Sequence, residues 1–311
     1  MKIVSVAMAT YNGAKYLREQ LDSLYSQSIV PDEIVVCDDC SSDKTVEILE
    51  EYHQKKGLRY IVNNSNLGVN KNFEKAIRMC SGSYVAICDQ DDIWFPKKIE
   101  ILLKKIKEVE NGMPCVVSSQ SVSLCDNKKR EPYYISRDSV GVSATLLKSG
   151  NVQGCTLVMN RKMIEILRPF PKSYKDVMMY DGYISFVAAT CGIKYNLGCV
   201  LMAYRHHESN VLSKIQHNQS FFIRLRAILR HFKYNRMFPS SRQYTLMYIY
   251  DEYFSLMSDD AKAIINSIVE YENGNLFKRI KAICSFRNYD FLEKIENILF
   301  ELFMFFIPIK K

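Results

Sequence analysis

The chain has 311 residues, 48% of them hydrophobic and 24% charged, a balance that gives one large globular domain, or one with an appendage, enough apolar material for a core. No run approaches the roughly 18 to 20 apolar residues that cross a bilayer, and the opening stretch lacks the length and cleavage site of a secretory signal, so a cytoplasmic location is expected. The formal charge of +8 is unevenly placed: no Asp or Glu falls between Glu208 and Asp251, while Lys214, Arg224, Arg226, Arg230, Lys233, Arg236 and Arg242 do, which marks that stretch for an anionic partner.

Short β-branched runs alternating with helical patterns predict a βαβ sheet. Strands are expected at Ile3–Ala9, Glu33–Asp38, Leu58–Val62, Tyr84–Asp89 and Cys115–Ser119. Between them Leu17, Leu21 and Leu24, then Val46, Leu49 and Tyr52, then Phe73, Ile77 and Cys80 recur at helical spacing and give each crossover helix one apolar face. A less regular block follows, with a strand expected at Gly154–Met159, a buried helix at Tyr183–Cys191 after Asp181-Gly182, and a strand at Val200–Tyr204. From about Ser213 the pattern is helical to the end. The expected class is therefore α/β with a mainly parallel sheet, followed by a helical C-terminal region.

Ligands of such sheets gather beyond the carboxyl ends of the strands, and the polar residues gather there too. Thr10-Tyr11-Asn12-Gly13 follows the first strand, Asp38-Asp39-Cys40-Ser41-Ser42-Asp43 the second, Asn66-Leu67-Gly68 the third and Asp89-Gln90-Asp91-Asp92 the fourth. Any one of these loops is an ordinary turn or cap; four on one rim make a site. Asp89, Asp91 and Asp92 crowd one loop, and a divalent cation with oxygen ligands, Mg²⁺ or Mn²⁺, relieves their repulsion. Asp92 is expected to cap the helix that begins near Pro96-Lys97, and Asp43 the one at Lys44-Thr45. Asp38 and Asp39 could accept the N3–H of uracil or thymine, a donor that cytosine lacks, and Lys71 could bring a cation near phosphates. Cys37 and Cys40 form the only CxxC, and the two intervening carboxylates oppose thiolates there, so these thiols read as incidental.

Ala9-Thr10-Tyr11-Asn12, Asp38 to Asp43, Asn66-Leu67-Gly68 and Asp89-Gln90-Asp91-Asp92-Ile93-Trp94 together resemble the signature of family 2 inverting glycosyltransferases, whose fold is the GT-A type. The resemblance covers roughly residues 2 to 211, which places a GT-A catalytic domain at 1–211 and a helical C-terminal region at 212–311. Its Asp-Gln-Asp-Asp-x-Trp stretch and Tyr204-Arg205-His206-His207-Glu208-Ser209-Asn210-Val211 are similar to a subgroup containing bacterial rhamnosyltransferases. It implies a nucleotide-sugar site built from Thr10, Tyr11, Asn12, Asp38, Asp39, Asn66, Gly68, Lys71, Asp89, Gln90, Arg205 and His207. It also implies metal binding by Asp91 and Asp89 with His207 as an alternative ligand, Gly154 and Trp94 on the acceptor side, and Asp181 as catalytic base. Two positions depart from the pattern: Tyr180 stands where many relatives have an acid, and Lys71 where many have Arg.

The implied activity is transfer of one sugar from dTDP-rhamnose or a UDP-hexose to a saccharide or lipid-linked saccharide acceptor in cell-surface polysaccharide synthesis. A dinucleotide enzyme would need G-x-G-x-x-G after the first strand. An Asp-x-Asp phosphatase would use Asp89 as nucleophile and Asp91 as acid, but Ile93 falls where its motif carries Thr or Val. A processive synthase would need membrane spans and a Gln-x-x-Arg-Trp motif, and Trp94 is the single tryptophan. A non-catalytic nucleotide-sugar-binding relative docking at a membrane is the remaining alternative. Phe221, Phe222, Leu225, Ile228, Leu229 and Phe232 form an apolar face beside Arg224, Arg230 and Lys233, and the stretch from Ile298 to Pro308 is apolar before Lys310-Lys311. Both make an anionic membrane surface a candidate partner, with peripheral attachment on the cytoplasmic face. Nucleic acid is not expected, because no binding module accompanies the basic stretch.

Overall fold

The structure, a computed structural model, describes residues 2–124, 133–134, 138–140, 153–170, 179–207, 248–263 and 265–266. The leading half follows the expected alternation: β1 (Val4–Thr10), α1 (Ala14–Tyr25), β2 (Glu33–Asp38), α2 (Thr45–Lys56), β3 (Arg59–Val62), α3 (Val69–Met79) and β4 (Tyr84–Cys88). Then come β5 (Ile93–Trp94), α4 (Lys98–Val109), β6 (Cys115–Ser123), β7 (Tyr133–Tyr134), β8 (Ser139–Val140), a 3₁₀ turn at Gly154–Thr156, β9 (Leu157–Asn160), α5 (Arg161–Ile166), α6 (Tyr180–Cys191) and β10 (Ile193–Tyr204). The sheet order is β3-β2-β1-β4-β9-β6-β10-β5, with β7 and β8 also pairing β10.

β1 is parallel to β2 and β4, β2 to β3, and β6 to β10, while β9 runs antiparallel between β4 and β6. The central strands are buried on both faces because helices cover both, while β3 at the edge is largely exposed. Val4, Val6 and Met8 of β1 face Leu17, Leu21 and Leu24 of α1 and Leu49 of α2 in one core cluster. Ala7 joins the other, with Phe73 and Ile77 of α3 and Tyr183, Ile184 and Val187 of α6. That period of two along β1 is the strand geometry that lets one segment feed both layers.

Four expected boundaries move, the first being the end of β6, which runs on from Ser119 to Ser123. Gly154 to Thr156 forms a turn before β9 begins at Leu157. α6 starts at Tyr180, so Asp181 lies inside its first turn, and β10 begins seven residues before Val200 with register irregularities between Asn196 and Met202. Asn160 caps α5 through Oδ1, which accepts from Met163 N and from Cys115 N at 3.0 Å each, while its amide donates to Glu110 and Met113 O at 2.8 Å. One side chain thereby fixes the β9–α5 corner against β6.

The helical residues 248–253 and the segment after them pack on α6: Ile249, Tyr253, Met257, Ala261 and Ile265 are buried in the same cluster as Tyr183 and Val187. The Tyr253 hydroxyl lies 2.6 Å from that of Tyr183 and accepts the Arg168 N–H at 2.7 Å. The expected division at residue 211, the basic apolar-faced stretch around Phe221 and the terminal apolar run lie outside the described residues. Among the described residues, no helix is long and apolar enough to cross a membrane.

Candidate active site

The site is assembled at the carboxyl rim of β1, β2, β3 and β4. Asp38, fully buried at the end of β2, accepts from Thr10 Oγ1 at 2.8 Å, Ser41 Oγ at 2.6 Å and Ser41 N at 2.8 Å. Thr10 and Ser41 thereby bind the Asp38 carboxylate into the rim, and the Thr10 hydroxyl spends its proton there while keeping its acceptor lone pairs. Asn12 takes a left-handed φ of 47° and joins the same knot, accepting Ser42 N at 2.8 Å. Asp43 holds two helix starts: Oδ1 accepts Thr45 N at 3.0 Å and Oδ2 accepts Ala14 N at 3.1 Å, so it does more than the expected single cap.

Asp39 is 3% exposed, and three donors orient its carboxylate. Oδ1 accepts Asn63 Nδ2 at 2.9 Å and Leu67 N at 2.7 Å, and Oδ2 accepts Gly68 N at 2.9 Å. A carboxylate has about four acceptor positions, which leaves one on Oδ2. Gly68 carries φ 80° and ψ 159°, a conformation that glycine adopts without steric cost, and this lets its N–H meet Asp39. Asn66 accepts the same Gly68 N–H at 3.1 Å. Behind Asp39, Asn63 donates to Asn72 Oδ1 at 2.9 Å and Asn72 donates to Cys37 O at 2.8 Å, a buried amide chain that the sequence pattern did not reveal. Lys71 turns along α3 and pairs with Glu74 at 2.7 Å.

Around the acidic loop, Gln90 uses its amide on the Tyr11 backbone, accepting Tyr11 N at 2.9 Å and donating to Tyr11 O at 3.1 Å. This fixes Tyr11, half exposed, at the rim. A Cβ at Gly13 would sit 2.0 Å from Gln90 Oε1 and displace that amide from Tyr11. Asp92 does not cap α4: it is fully buried, its Oδ1 accepts Arg205 N at 3.0 Å, and its Oδ2 has no hydrogen-bond partner. The loop doubles back to meet the strand after it, so this acid ties residues 89–92 to 205–207 instead. Arg205 donates to Asp91 O at 2.8 Å and to Glu19 at 2.5 Å, with its guanidinium 4.5 Å from the Tyr16 ring centre. His207 Nε2 lies 2.8 Å from Asp91 Oδ2.

The electrostatics follow from this crowding. Burial, then Asp92, Asp91 and Asp181, push the Asp89 carboxyl well above its ordinary value. Burial and Asp91 push Asp92 up to about 7 against the Arg205 N–H. Clustered carboxylates, one orphaned buried oxygen and an imidazole beside Asp91 form a donor set of the kind that suits a divalent cation. Of the expected ligands, Asp91 and His207 are brought together, while the orphaned oxygen belongs to Asp92. Asp89, Asp92 and Cys155 also bring one donor atom each within 4.8 Å of one another. The CxxC thiols point apart: Cys37 is buried and pushed up to about 11 by that burial, and Cys40 is exposed.

Asp181 opens α6 opposite this loop. Burial pushes its carboxyl up to about 6, opposed by the N–H groups of Gly182, Gly154 and Asp181 itself. Tyr180 is buried against Phe73, ring centres 4.1 Å apart, and its backbone N–H donates to Asn70 Oδ1 at 3.0 Å. Its hydroxyl presses on Gly154, where a Cβ would come within 1.9 Å of it. Gly154 thus lies beneath Tyr180 at the edge of the site. Trp94, expected on the acceptor side, is 2% exposed and covered by Lys98, so its ring offers no surface to an acceptor.

A family model described as glycosyl transferase family 2 matches residues 5–167. The chain is 27% identical over 224 residues to an uncharacterized glycosyltransferase of Rickettsia typhi, covering 70% of this chain and 65% of that one. It is 42% identical over 113 residues to an uncharacterized glycosyltransferase of Methanocaldococcus jannaschii, covering 35% and 38%. The chain thus spans less than two thirds of these relatives. Its structure is similar to S. aureus TarS in complex with UDP-GlcNAc, with a TM-score of 0.53 and 19% identity over 91% of this chain and 79% of that one. It is also similar to the mannosyltransferase PcManGT of Pyrobaculum calidifontis in complex with GDP-Man and Mn²⁺, with a TM-score of 0.52 and 17% identity over 98% and 85%. Both likenesses establish the GT-A fold.

Proposed function

Because this chain belongs to glycosyl transferase family 2, we propose that it transfers a single sugar from a nucleoside-diphosphate sugar to a saccharide or lipid-linked saccharide, inverting the anomeric centre. The observation that carries this reading is the nearness of Asp181 to the acidic loop. Cys155 brings a donor atom within 4.8 Å of one on Asp89, and its neighbour Gly154 packs on Tyr180, the residue before Asp181, which supports a base beside the diphosphate end of the donor site.

A sugar hydroxyl is a poor nucleophile until its proton is taken. Asp181 accepts that proton as the acceptor oxygen bonds to the anomeric carbon, and the bond from that carbon to the diphosphate oxygen breaks, its electron pair leaving with the nucleotide. A carboxyl pushed up to about 6 is ionised at neutral pH yet basic enough to share the proton in the transition state. Asp91 and Asp89, with His207, would hold Mg²⁺ or Mn²⁺, which when bound supplies positive charge to the diphosphate. Asp39 Oδ2 accepts an N–H of the base, and Gln90 keeps the Tyr11 loop beside it.

The donor is dTDP-rhamnose or a UDP-hexose, and the acceptor belongs to cell-surface polysaccharide synthesis, with peripheral attachment to an anionic membrane through the C-terminal region. The neighbours' ligands, UDP-GlcNAc and GDP-Man, have bases that present a ring N–H, which supports the role given to Asp39. A screen of sugar nucleotides for transfer or slow hydrolysis identifies the donor. Asp181→Asn tests the reaction: transfer falls by about 10²- to 10⁴-fold, while calorimetry still detects Mn²⁺-dependent nucleotide binding. Unchanged transfer would remove Asp181 from the chemistry and favour a binding protein.

A further inference from the structure

Lys98, the first residue of α4, is fully buried behind the acidic loop. It donates from Nζ to Cys155 O at 2.5 Å, lies 3.2 Å from Met202 Sδ, and stands 3.7 Å from the centre of the Trp94 ring. A buried ammonium carries a desolvation penalty of several kcal/mol unless its partners are well placed. Here the directed acceptor is a backbone carbonyl, and the indole face supplies a cation–π contact. The held carbonyl belongs to the Gly154–Thr156 turn.

That turn touches the start of α6 twice. Gly154 packs against the Tyr180 hydroxyl with no room for a side chain, and its N–H bears on the Asp181 carboxyl. The turn is closed on itself by Thr156, whose N and Oγ1 donate to Gln153 O at 2.9 and 2.6 Å. A displacement of Cys155 O is therefore passed to Gly154 N one residue away. We propose that Lys98 is a positioning residue: anchored on Trp94, it fixes the Gly154–Thr156 turn and through it the catalytic geometry of Asp181. The inference rests on the reading of Asp181 as base.

Lys98 also interacts with the charges of Asp92 and Asp89, so a second route, through the acidic loop, must be separated by experiment. The groups bearing on Asp181 are the N–H donors of Gly154, Gly182 and itself, with Asp89 and the Tyr180 phenol opposite. Asn70 of α3 contributes an uncharged amide.

The test is Lys98→Met, with Lys98→Leu read in the same way should the first fail to fold, beside wild type and Asp181→Asn. With folding checked by circular dichroism, kcat is expected to fall by about 10- to 100-fold through loss of alignment. The donor KM and the calorimetric Kd for UDP with Mn²⁺ are expected to stay within about twofold of wild type. The acid limb of kcat/KM is expected to move to higher pH, because an N–H bond to the ionised carboxylate is loosened. Wild-type kcat with an unmoved acid limb overturns the proposal. So does a matching loss of nucleotide or Mn²⁺ binding, which would assign Lys98 to the acidic loop. Full activity in Asp181→Asn instead overturns the base assignment, a result that the Lys98 variants cannot produce.

Discussion

Replacing Asp39 by Asn changes one atom and reverses the hydrogen-bonding character of one position. In the wild-type protein Oδ1 is occupied by Asn63 and Leu67, and Oδ2, taking only Gly68 N, has the remaining acceptor position. On the proposed reading, uracil would fill it with N3–H, whereas cytosine would present a lone pair there and be repelled. A hydrogen bond to a charged acceptor contributes about 1.5–3 kcal/mol, which is about 10- to 150-fold in affinity. UDP is therefore expected to bind more tightly than CDP by roughly that factor. In Asp39→Asn the oxygen stays with Asn63 and Leu67, so the amide nitrogen falls at Oδ2 and can donate to cytosine N3. The UDP preference is expected to collapse or reverse. Gly68 N–H then opposes another donor, and fold stability is expected to fall by about 1–3 kcal/mol. Calorimetric Kd values for UDP and CDP with Mn²⁺, wild type against variant, measure the ratio, and thermal melts measure the loop cost. An unaltered UDP-to-CDP ratio in a folded variant would refute the assignment of Asp39 to the base.

Glu33 gives a pH prediction. Burial works to raise its carboxyl, but the bonds from Lys2, Ser5 and Ser81 outweigh this and hold it well below the usual carboxylate range. Its folded value is thus below its unfolded one, so the stability it adds is present above about pH 4.3 and is lost as pH falls. Glu33→Gln should cost about 2 kcal/mol at pH 7, with urea curves of wild type and variant converging in acid; a constant gap would contradict the linkage. Gly154→Ala forces a Cβ to within 1.9 Å of the Tyr180 hydroxyl, for an expected loss of about 1–3 kcal/mol by overpacking. The double variant with Tyr180→Phe should recover part of the melting temperature, and no recovery would deny the contact. Tyr253→Phe strips the acceptor from Arg168 N and the partner from the Tyr183 hydroxyl. A stability loss of about 1–3 kcal/mol by calorimetric melting is expected, and an unchanged melt would mean that solvent serves those groups as well.

The rim was readable because its polar loops follow buried strands: the apolar runs located β1 to β4 within a residue, and the helical spacing found buried positions of α1 to α3, although Ile48 and not Val46 is buried on α2 and Cys80 falls just past α3. Side-chain direction was not readable. Adjacent residues of like chemistry part company in the structure: Asp38 is bound into the rim by Thr10 and Ser41, while Asp39 faces the loop at Leu67 and Gly68. Asp92 drew a helix-cap reading from its distance to Pro96, yet its partner is Arg205 N, a contact made by tertiary folding alone. Trp94 and Lys98 lie four residues apart, a spacing that carries no sign of a buried cation over an indole. The strand order around β9 was hidden as well, since a four-residue apolar strand has no directional mark in its sequence.

The reversed direction of β9 has a consequence for what can be exchanged at the rim. Its neighbours β4 and β6 end at the rim where β9 begins, so the chain between Ser123 and Gly154 departs from the active edge and returns to it. β7 and β8 fall within that segment and pair β10, so an exchange there replaces two short strands of the sheet together with the loops, while the register of β1 to β4 is untouched. Grafting between relatives is most naturally cut at those two positions.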